Sequence, residues 1–415
     1  MAERTTRYTD ESDNVLEHAP HDAPCVVYGV TVGTSAFSFL RGQLRWLEDQ
    51  GWQVKLVASP DDPAQATAKR EGVEFHSLPM SREIAPVADC IALWRWLRLL
   101  KKLKPEVVNV STPKAGLLGG VAACVNRIPR RLYVVRGLRL EGAKAPMSFV
   151  LWLAEWLAMK VATDVLFVSP SLAREANKRR LLSRRKSWVI GKGSSNGINV
   201  QAVEERASAV DRDILRTSLE FGNEDFVVGF VGRIAADKGI QTLIEAFSDK
   251  ELNTKARLLC IGSTDDEALA TKLKVLDKRV RFIPWTNDVW GHLPAIDLLC
   301  LPTLREGFPN VVLEAAATGI PAITTRATGA VDSVLDGETG YLIEIGDAAS
   351  LVEKINHLSD SPTIVAKLGA AAKQRVMNEF QQVQIWQGIG EILSGDSNPR
   401  FATRMTYPNS KGDNK

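Results

Sequence analysis

Along the chain, short runs of consecutive β-branched and aliphatic residues alternate with longer stretches in which apolar positions recur every three or four residues. The runs CVVYGVTV (25–32), QVKLV (53–57), EVVNV (106–110), RLYVV (131–135), DVLFV (164–168) and SWVI (187–190) end in turn residues, with amphipathic stretches of helix length between most of them. Strands that alternate with helices predict a parallel sheet covered by helices, because parallel neighbours need a crossover connection. A second series begins at FVVGFVG (226–232) and continues through ARLLCIG (256–262), RVRFI (279–283), DLLCL (297–301), PAITT (321–325) and GYLIE (340–344). The pattern therefore predicts an α/β chain of two doubly wound halves, changing over near 196–225. Three helical patterns over 347–359, 362–378 and 380–394 follow the last strand, enough to cover one face or to cross back to the first half.

Length and composition fit two domains. A chain of 415 residues exceeds what one hydrophobic core usually serves, and 45% apolar with 24% charged residues excludes a disordered or fibrous protein. The formal charge of +3 conceals a split: residues 1–200 carry 29 Lys and Arg against 19 Asp and Glu, whereas residues 201–415 carry 23 against 30. Without the acidic first 23 residues the first half has 27 against 13. Such a basic lobe suits nucleic acid, an anionic membrane surface or a phosphorylated substrate, and charge does not choose among them.

The five cysteines, Cys25, Cys90, Cys124, Cys260 and Cys300, are scattered and read as reduced core residues of a cytosolic protein. Residues 1–23 are polar and acidic, unlike a secretory signal, and the nearest approach to a membrane span, 146–162, is broken by Glu155 and Lys160. The expected location is the cytoplasm.

In open parallel sheets ligands bind beyond the carboxyl ends of the strands, so two facing sheets put their chemistry in strand-end loops around one cleft. The richest loop is PTLREGFPNVVLEAAATGIP (302–321). It carries Arg305, Glu306, Gly307 and Phe308, and Pro309 stands at the natural first position of a helix reaching Ala317. The amides of Phe308, Asn310 and Val311 would lie near that helix start, where unpaired N–H groups and the macrodipole favour an anion such as phosphate. Glu314, about a turn further in, would accept hydrogen bonds from neutral hydroxyls such as those of a ribose. Taken alone, the two glutamates read as ordinary solvated helix-start acids. The loop after the first strand of the same half changes that, because Val231-Gly232-Arg233 and Asp237-Lys238-Gly239 bring two cations toward the same cleft, as a diphosphate site requires.

These residues resemble the retaining glycosyltransferases of family 4, over about residues 25–394. The resemblance rests on the two glutamates of EGFPNVVLEAAATGIP, on VGRIAADKGIQTLIEAF (231–247), DLLCLPT (297–303) and GETGYLI (337–343). In the first half, FLRGQLRWLEDQGWQV (39–54), PMSREIAP (79–86), TPKAGLLGG (112–120) and GSSNGIN (193–199) resemble the bacterial branch that builds capsule, O-antigen and lipid-linked oligosaccharides. The resemblance implies the GT-B fold: two Rossmann-like domains facing across a cleft. The expected organisation is a disordered tail (1–23), an acceptor-binding domain (24–200), a nucleotide-sugar-binding domain (201–380), a C-terminal helix (381–395) that is long enough to cross back, and a disordered tail (396–415).

For individual residues, the resemblance implies that Arg233 and Lys238 bind the donor diphosphate, that Glu306 lies by the transferred sugar, and that Glu314 holds the ribose. The backbone of Gly307, Phe308, Pro309, Asn310 and Val311 would hold sugar hydroxyls and phosphate, and Ile283 and Pro284 the base, usually uracil. Two positions depart from common family patterns: Trp285 stands where a glycine is frequent, and Arg136 replaces a histidine. The implied reaction moves a sugar with retention from a UDP-sugar to a polyprenyl-diphosphate-linked saccharide.

A nucleoside diphosphate leaves as a stable anion, so electrostatic stabilisation by Arg233, Lys238 and the helix amides would replace the general acid that a glycosidase needs. No metal or other cofactor is expected. Asp211-Arg212-Asp213 matches the Asp-x-Asp string of metal-dependent transferases, but it precedes a helix and reads as capping charge. In the basic half Gly33, Lys114, Arg136, Arg139 and Ser195 are placed by strand-end loops or the hinge to meet donor phosphate or acceptor. Residues 91–103, IALWRWLRLLKKL, set Arg95, Arg98 and Lys102 beside Trp94 and Trp96, and 146–162 adds Trp152 and Trp156. Tryptophan with basic residues is the composition of an interfacial helix, so the expected partners are the donor, the lipid-linked acceptor and an anionic membrane at the inner face of the plasma membrane, with no nucleic acid. Rival readings are a nucleotide-sugar epimerase on the same scaffold and a non-catalytic sugar-nucleotide-binding subunit. The basic loops of the first lobe disfavour the epimerase, and intact Glu306, Arg233 and Lys238 disfavour the second rival.

Overall fold

The computed structural model describes residues 23–182, 186–276 and 279–405. The first half supplies β1 (Cys25–Gly29), β2 (Gln53–Ala58), β3 (Glu74–Ser77), β4 (Val107–Ser111), β5 (Arg130–Val135), β6 (Asp164–Phe167) and β7 (Lys186–Ile190). The second supplies β8 (Phe226–Val231), β9 (Ala256–Ile261), β10 (Val280–Ile283), β11 (Leu298–Leu301), β12 (Ala322–Thr325) and β13 (Gly340–Ile343), and a short β14 (Ala402–Arg404) follows near the chain end. Two sheets result, ordered β14-β7-β6-β5-β4-β1-β2-β3 and β10-β9-β8-β11-β12-β13. All pairings are parallel except that of β14 with β7. Every residue of β1, β4, β11 and β12 is buried, as a strand covered by helices on both faces requires.

Strand order reverses between β1 and β4 in the first sheet and between β8 and β11 in the second. At such a switch point the flanking connections leave on opposite faces and open a crevice at the carboxyl ends of the strands. Across that crevice the loop after β5 of one domain meets the loop after β11 of the other.

The chain end returns to the first domain. The helix Gln382–Ser394 packs on the helix Gln43–Asp49, with the Trp46 and Trp386 rings 6.1 Å apart, and Arg130 donates to the carbonyl of Leu393 at 2.5 Å. The segment 396–415, expected to be disordered, departs from that reading at β14. There Ala402, Thr403 and Arg404 pair antiparallel with Ile190, Val189 and Trp188 and cover the edge that β7 would otherwise expose. The expected N-terminal tail lies, but for its last residue, outside the described residues.

Three readings of the first domain need correction. Trp96 does not share a surface with Arg95 and Arg98. It is fully buried over Gly29, where an added side-chain carbon would lie 2.8 Å from its ring, whereas Trp94 is exposed with Arg98 stacked on it. Cys90 and Cys124 are exposed on helices rather than in the core. The strand β3, EFHS, escaped the pattern because its outer residues are exposed and its inner ones only half-buried.

Candidate active site

The loops after β8 and β11 are locked together by a glycine. Gly239 has a positive φ of 72° and lies so close to the Pro302 carbonyl that any side chain would collide with it. Thr303 donates its hydroxyl to the carbonyl of Asp237 at 3.0 Å, and the Leu304 amide donates to the same oxygen at 3.0 Å. This juxtaposition brings Lys238 Nζ to 2.5 Å from Glu306 Oε1, an ion pair with both side chains largely buried. Around it runs a second set of charges: Asp237 faces Arg305 at 3.3 Å and Arg233 at 3.7 Å, and Arg233 also pairs closely with Asp265. Arg233, Lys238 and Glu306 therefore lie together at the carboxyl end of the second sheet, in two adjacent sets of ion pairs joined through the chain neighbours Asp237 and Arg305.

The helix carrying Glu314 spans Asn310–Ala317, with Pro309 as its N-cap. The expectation of Pro309 as first helical residue is off by one: its ψ of 96° is extended, outside the helix. Phe308 is buried against Phe380 with ring centroids 5.4 Å apart, so only its backbone is available to a ligand. Asn310 Oδ1 is buried without a hydrogen-bond partner among the described residues. Behind Glu306, its amide donates to the Thr328 carbonyl at 2.8 Å. The same loop is tied to the other domain, Asp332 accepting from the Ser171 amide at 2.8 Å and Gly329 N–H donating to the Ser171 hydroxyl at 2.7 Å.

The first domain reaches this site through the loop after β5. Gly307 lies directly against the Arg136 carbonyl, with no room for a side chain. Arg136 donates from Nη1 to the Ser195 carbonyl at 3.0 Å and stacks over Phe39 at 4.8 Å, while its buried Nε has no partner among the described residues. Burial pushes its guanidinium down to about 10, still fully charged at neutral pH. Ser195 itself is buried at the hinge and offers its carbonyl to Arg136.

Glu314 is half-buried, and desolvation raises its carboxyl above the usual range against the opposing pull of the Trp290 indole N–H and the Arg41 charge. Neither Trp290 nor Arg41 stands out in the sequence; only the fold brings them to the glutamate. Ile283 ends β10, its carbonyl accepting from the Gly262 amide at 3.0 Å, and Gly262 abuts the Gly232 carbonyl. Ile283 and Pro284 thus lie at the same sheet end as the Arg233 loop, with Trp285 exposed beyond them.

Other first-domain candidates have structural partners. The Gly33 amide, read as facing a donor phosphate, instead donates to Asp61 Oδ2 at 2.9 Å. A side chain at Gly33 would collide with Asp61 and Ala64, so the glycine permits helix packing. Lys114 is held by Asp89 at 2.6 Å and by the Glu83 carbonyl, which fastens the loop 79–86. Arg139 is exposed and donates to the Arg82 carbonyl at 3.2 Å, while Arg82 donates to the Thr34 hydroxyl at 2.8 Å. Asp211 caps its helix, Oδ1 accepting from the amides of Asp213 and Ile214 at 2.9 and 3.0 Å.

Comparison with known proteins bears on the family and the fold. Residues 211–375 match the family model "Glycosyl transferases group 1", and residues 38–191 match "Glycosyl transferase 4-like domain". The capsular polysaccharide biosynthesis glycosyltransferase CapM of Staphylococcus aureus is 37% identical over 373 residues, covering 88% of this chain and 95% of that protein. The Escherichia coli UDP-Gal:alpha-D-GlcNAc-diphosphoundecaprenol alpha-1,3-galactosyltransferase is 26% identical, covering 81% of this chain and 88% of its own length. Among solved structures, Anabaena HepE in complex with UDP-glucose superposes with a TM-score of 0.74 at 19% identity, over 89% of this chain and 99% of that one. With two facing parallel-sheet domains, the chain is a GT-B glycosyltransferase and belongs to the glycosyl transferases group 1 family, alongside bacterial enzymes of capsule, lipopolysaccharide and lipid-linked oligosaccharide assembly.

Proposed function

We propose that this glycosyltransferase moves a sugar from a UDP-sugar to a polyprenyl-diphosphate-linked saccharide, with retention of configuration and without a metal ion. The observation that carries the donor half is the Lys238–Glu306 pair beside the start of the helix Asn310–Ala317, with Arg233 paired to Asp237, the residue before Lys238. When the C1–O bond of the donor breaks, negative charge grows on the diphosphate and positive charge on the anomeric carbon. Lys238, Arg233 and the first amides of the helix stabilise the former. Glu306 lies where it stabilises the latter and anchors Lys238. The departing phosphate oxygen takes the proton of the acceptor hydroxyl as that hydroxyl attacks from the same face, so no side chain need serve as general base. Arg136, its carbonyl packed on Gly307, offers a permanent charge and an unpartnered Nε beside the site.

The acceptor half rests on the first domain. Arg82 and Arg139 present cations at the cleft mouth, held to one another and to Thr34. Beside them the helix Met147–Val161 exposes Phe149, Val150, Leu153 and Leu157, and the helix Pro86–Leu103 exposes Val87, Ile91 and Trp94; both pack on the helix Pro113–Val125. Phe149, Trp152 and Trp156 form a stacked ladder with Lys160 over its end. Cations next to exposed aromatic and aliphatic side chains suit a diphosphate whose lipid stays in an anionic bilayer. Among the described residues no helix is long and apolar enough to cross a membrane. The enzyme would work peripherally at the inner face of the plasma membrane. A screen of UDP-sugars against polyprenyl-diphosphate-linked mono- and disaccharides tests the proposal: transfer to a lipid-linked acceptor supports it, and transfer only to soluble acceptors refutes it.

A further inference from the structure

We infer that Arg41, a residue of the first domain, binds the nucleoside end of the donor by donating to a ribose hydroxyl that Glu314 of the second domain accepts from. The inference rests on the nucleotide-sugar reading of the site and adds to it a donor ligand from the opposite domain. The Arg41 guanidinium lies over the Trp290 ring, 5.5 Å from its centroid, within the range of a cation–π contact. Both groups act on the Glu314 carboxylate, where their hydrogen bond and charge oppose the desolvation that raises its pKa. Yet Arg41 is not paired with Glu314, and among the described residues no carboxylate lies within ion-pair distance of its guanidinium. A carboxylate only accepts hydrogen bonds and a guanidinium only donates them, whereas each ribose hydroxyl does both. A hydroxyl between the two satisfies both charged groups at once.

The position of Arg41 is fixed by the hinge. Its carbonyl accepts from Asn196 Nδ2 at 2.9 Å, and Asn196 Oδ1 accepts in turn from the Trp386 indole at 2.7 Å. The next residue, Gly42, has φ of 78° and faces Trp386, whose ring would lie 2.7 Å from any side-chain carbon there. The hinge segment around Asn196 and the returning C-terminal helix therefore set how far Arg41 reaches across the cleft, and a bound nucleotide ties the two domains together through it.

The test is titration calorimetry of the full chain with UDP and with UMP. Arg41 is exposed, so Arg41→Ala should leave the melting temperature of the ligand-free protein unchanged. It should weaken UDP and UMP by the same factor, about tenfold, as expected for one hydrogen bond from a charged donor. In the Glu314→Gln background the effect of Arg41→Ala should shrink to less than threefold. In turnover, Arg41→Ala should raise the donor KM and leave kcat within about twofold. Wild-type affinity in Arg41→Ala overturns the inference, as does a defect seen with UDP and absent with UMP, which would make Arg41 a phosphate ligand. Failure of the unaltered protein to bind either nucleotide would instead overturn the donor reading itself.

Discussion

Lys238 Nζ sits 2.5 Å from Glu306 Oε1, joining two strand-end loops whose contributing residues are 68 positions apart in the chain. Removing either partner leaves a largely buried charge unpaired and takes one stabilising group from the developing diphosphate. Lys238→Ala and Arg233→Ala should each lower kcat about a hundredfold or more, the scale of losing one preorganised electrostatic contact. Steady-state transfer assays check this, and near-normal turnover in both variants would remove the diphosphate assignment.

Glu155 provides a pH-dependent signature. Its carboxyl is buried in the helix Met147–Val161, donated to by the Tyr133 hydroxyl at 2.9 Å, with Oε1 unpartnered among the described residues. Burial pushes it up to about 7, against the opposing Tyr133 hydrogen bond and Arg139 charge. A carboxyl raised in the folded state contributes stability that is full below the unfolded pKa and lost as pH rises through the folded one. Between about pH 4.5 and 7 the folded protein binds the extra proton, so this contribution falls as pH increases, by on the order of 3 kcal/mol. Glu155→Gln should flatten the dependence and raise the melting temperature at pH 8 relative to the unaltered protein, measured by thermal unfolding from pH 5 to 8.

Trp386 links the returning helix to the hinge. Its indole donates to Asn196 and its ring packs on Gly42 and Trp46. Trp386→Ala should destabilise the protein by roughly 3 kcal/mol, the usual cost of deleting a buried tryptophan, and raise the donor KM because Arg41 loses its support. Denaturant unfolding and donor titration together check the two effects.

The exposed apolar residues of the helix Met147–Val161 predict vesicle binding. Phe149→Glu combined with Leu153→Glu should reduce flotation with anionic liposomes several-fold and leave thermal stability unchanged, since both side chains are exposed. Equal flotation of the double variant would refute docking through this face.

The strands of both sheets were legible because a strand buried on both faces reads as a continuous apolar run, as in β1, β4 and β11. β3 and β14 were not: one is a half-exposed edge strand and the other has three residues and gains its place only by pairing with β7. The Glu306–Glu314 spacing and the Arg233 and Lys238 loop pointed to one site because residues on one helix start and one strand-end turn are local in sequence. Arg41 and Trp290 were invisible for the opposite reason, since they belong to different domains and only the fold joins them. Gly33 misled because a glycine after a strand looks the same whether a phosphate or a neighbouring helix approaches it; here the neighbour is the helix capped by Asp61.

The most direct measurement is a transfer reaction with EDTA present, using a UDP-sugar and a polyprenyl-diphosphate-linked saccharide in anionic vesicles, with the anomeric configuration of the product read by NMR. The account predicts undiminished transfer and retention of the donor configuration. Inverted product, or activity abolished by EDTA and restored by a divalent ion, would contradict it.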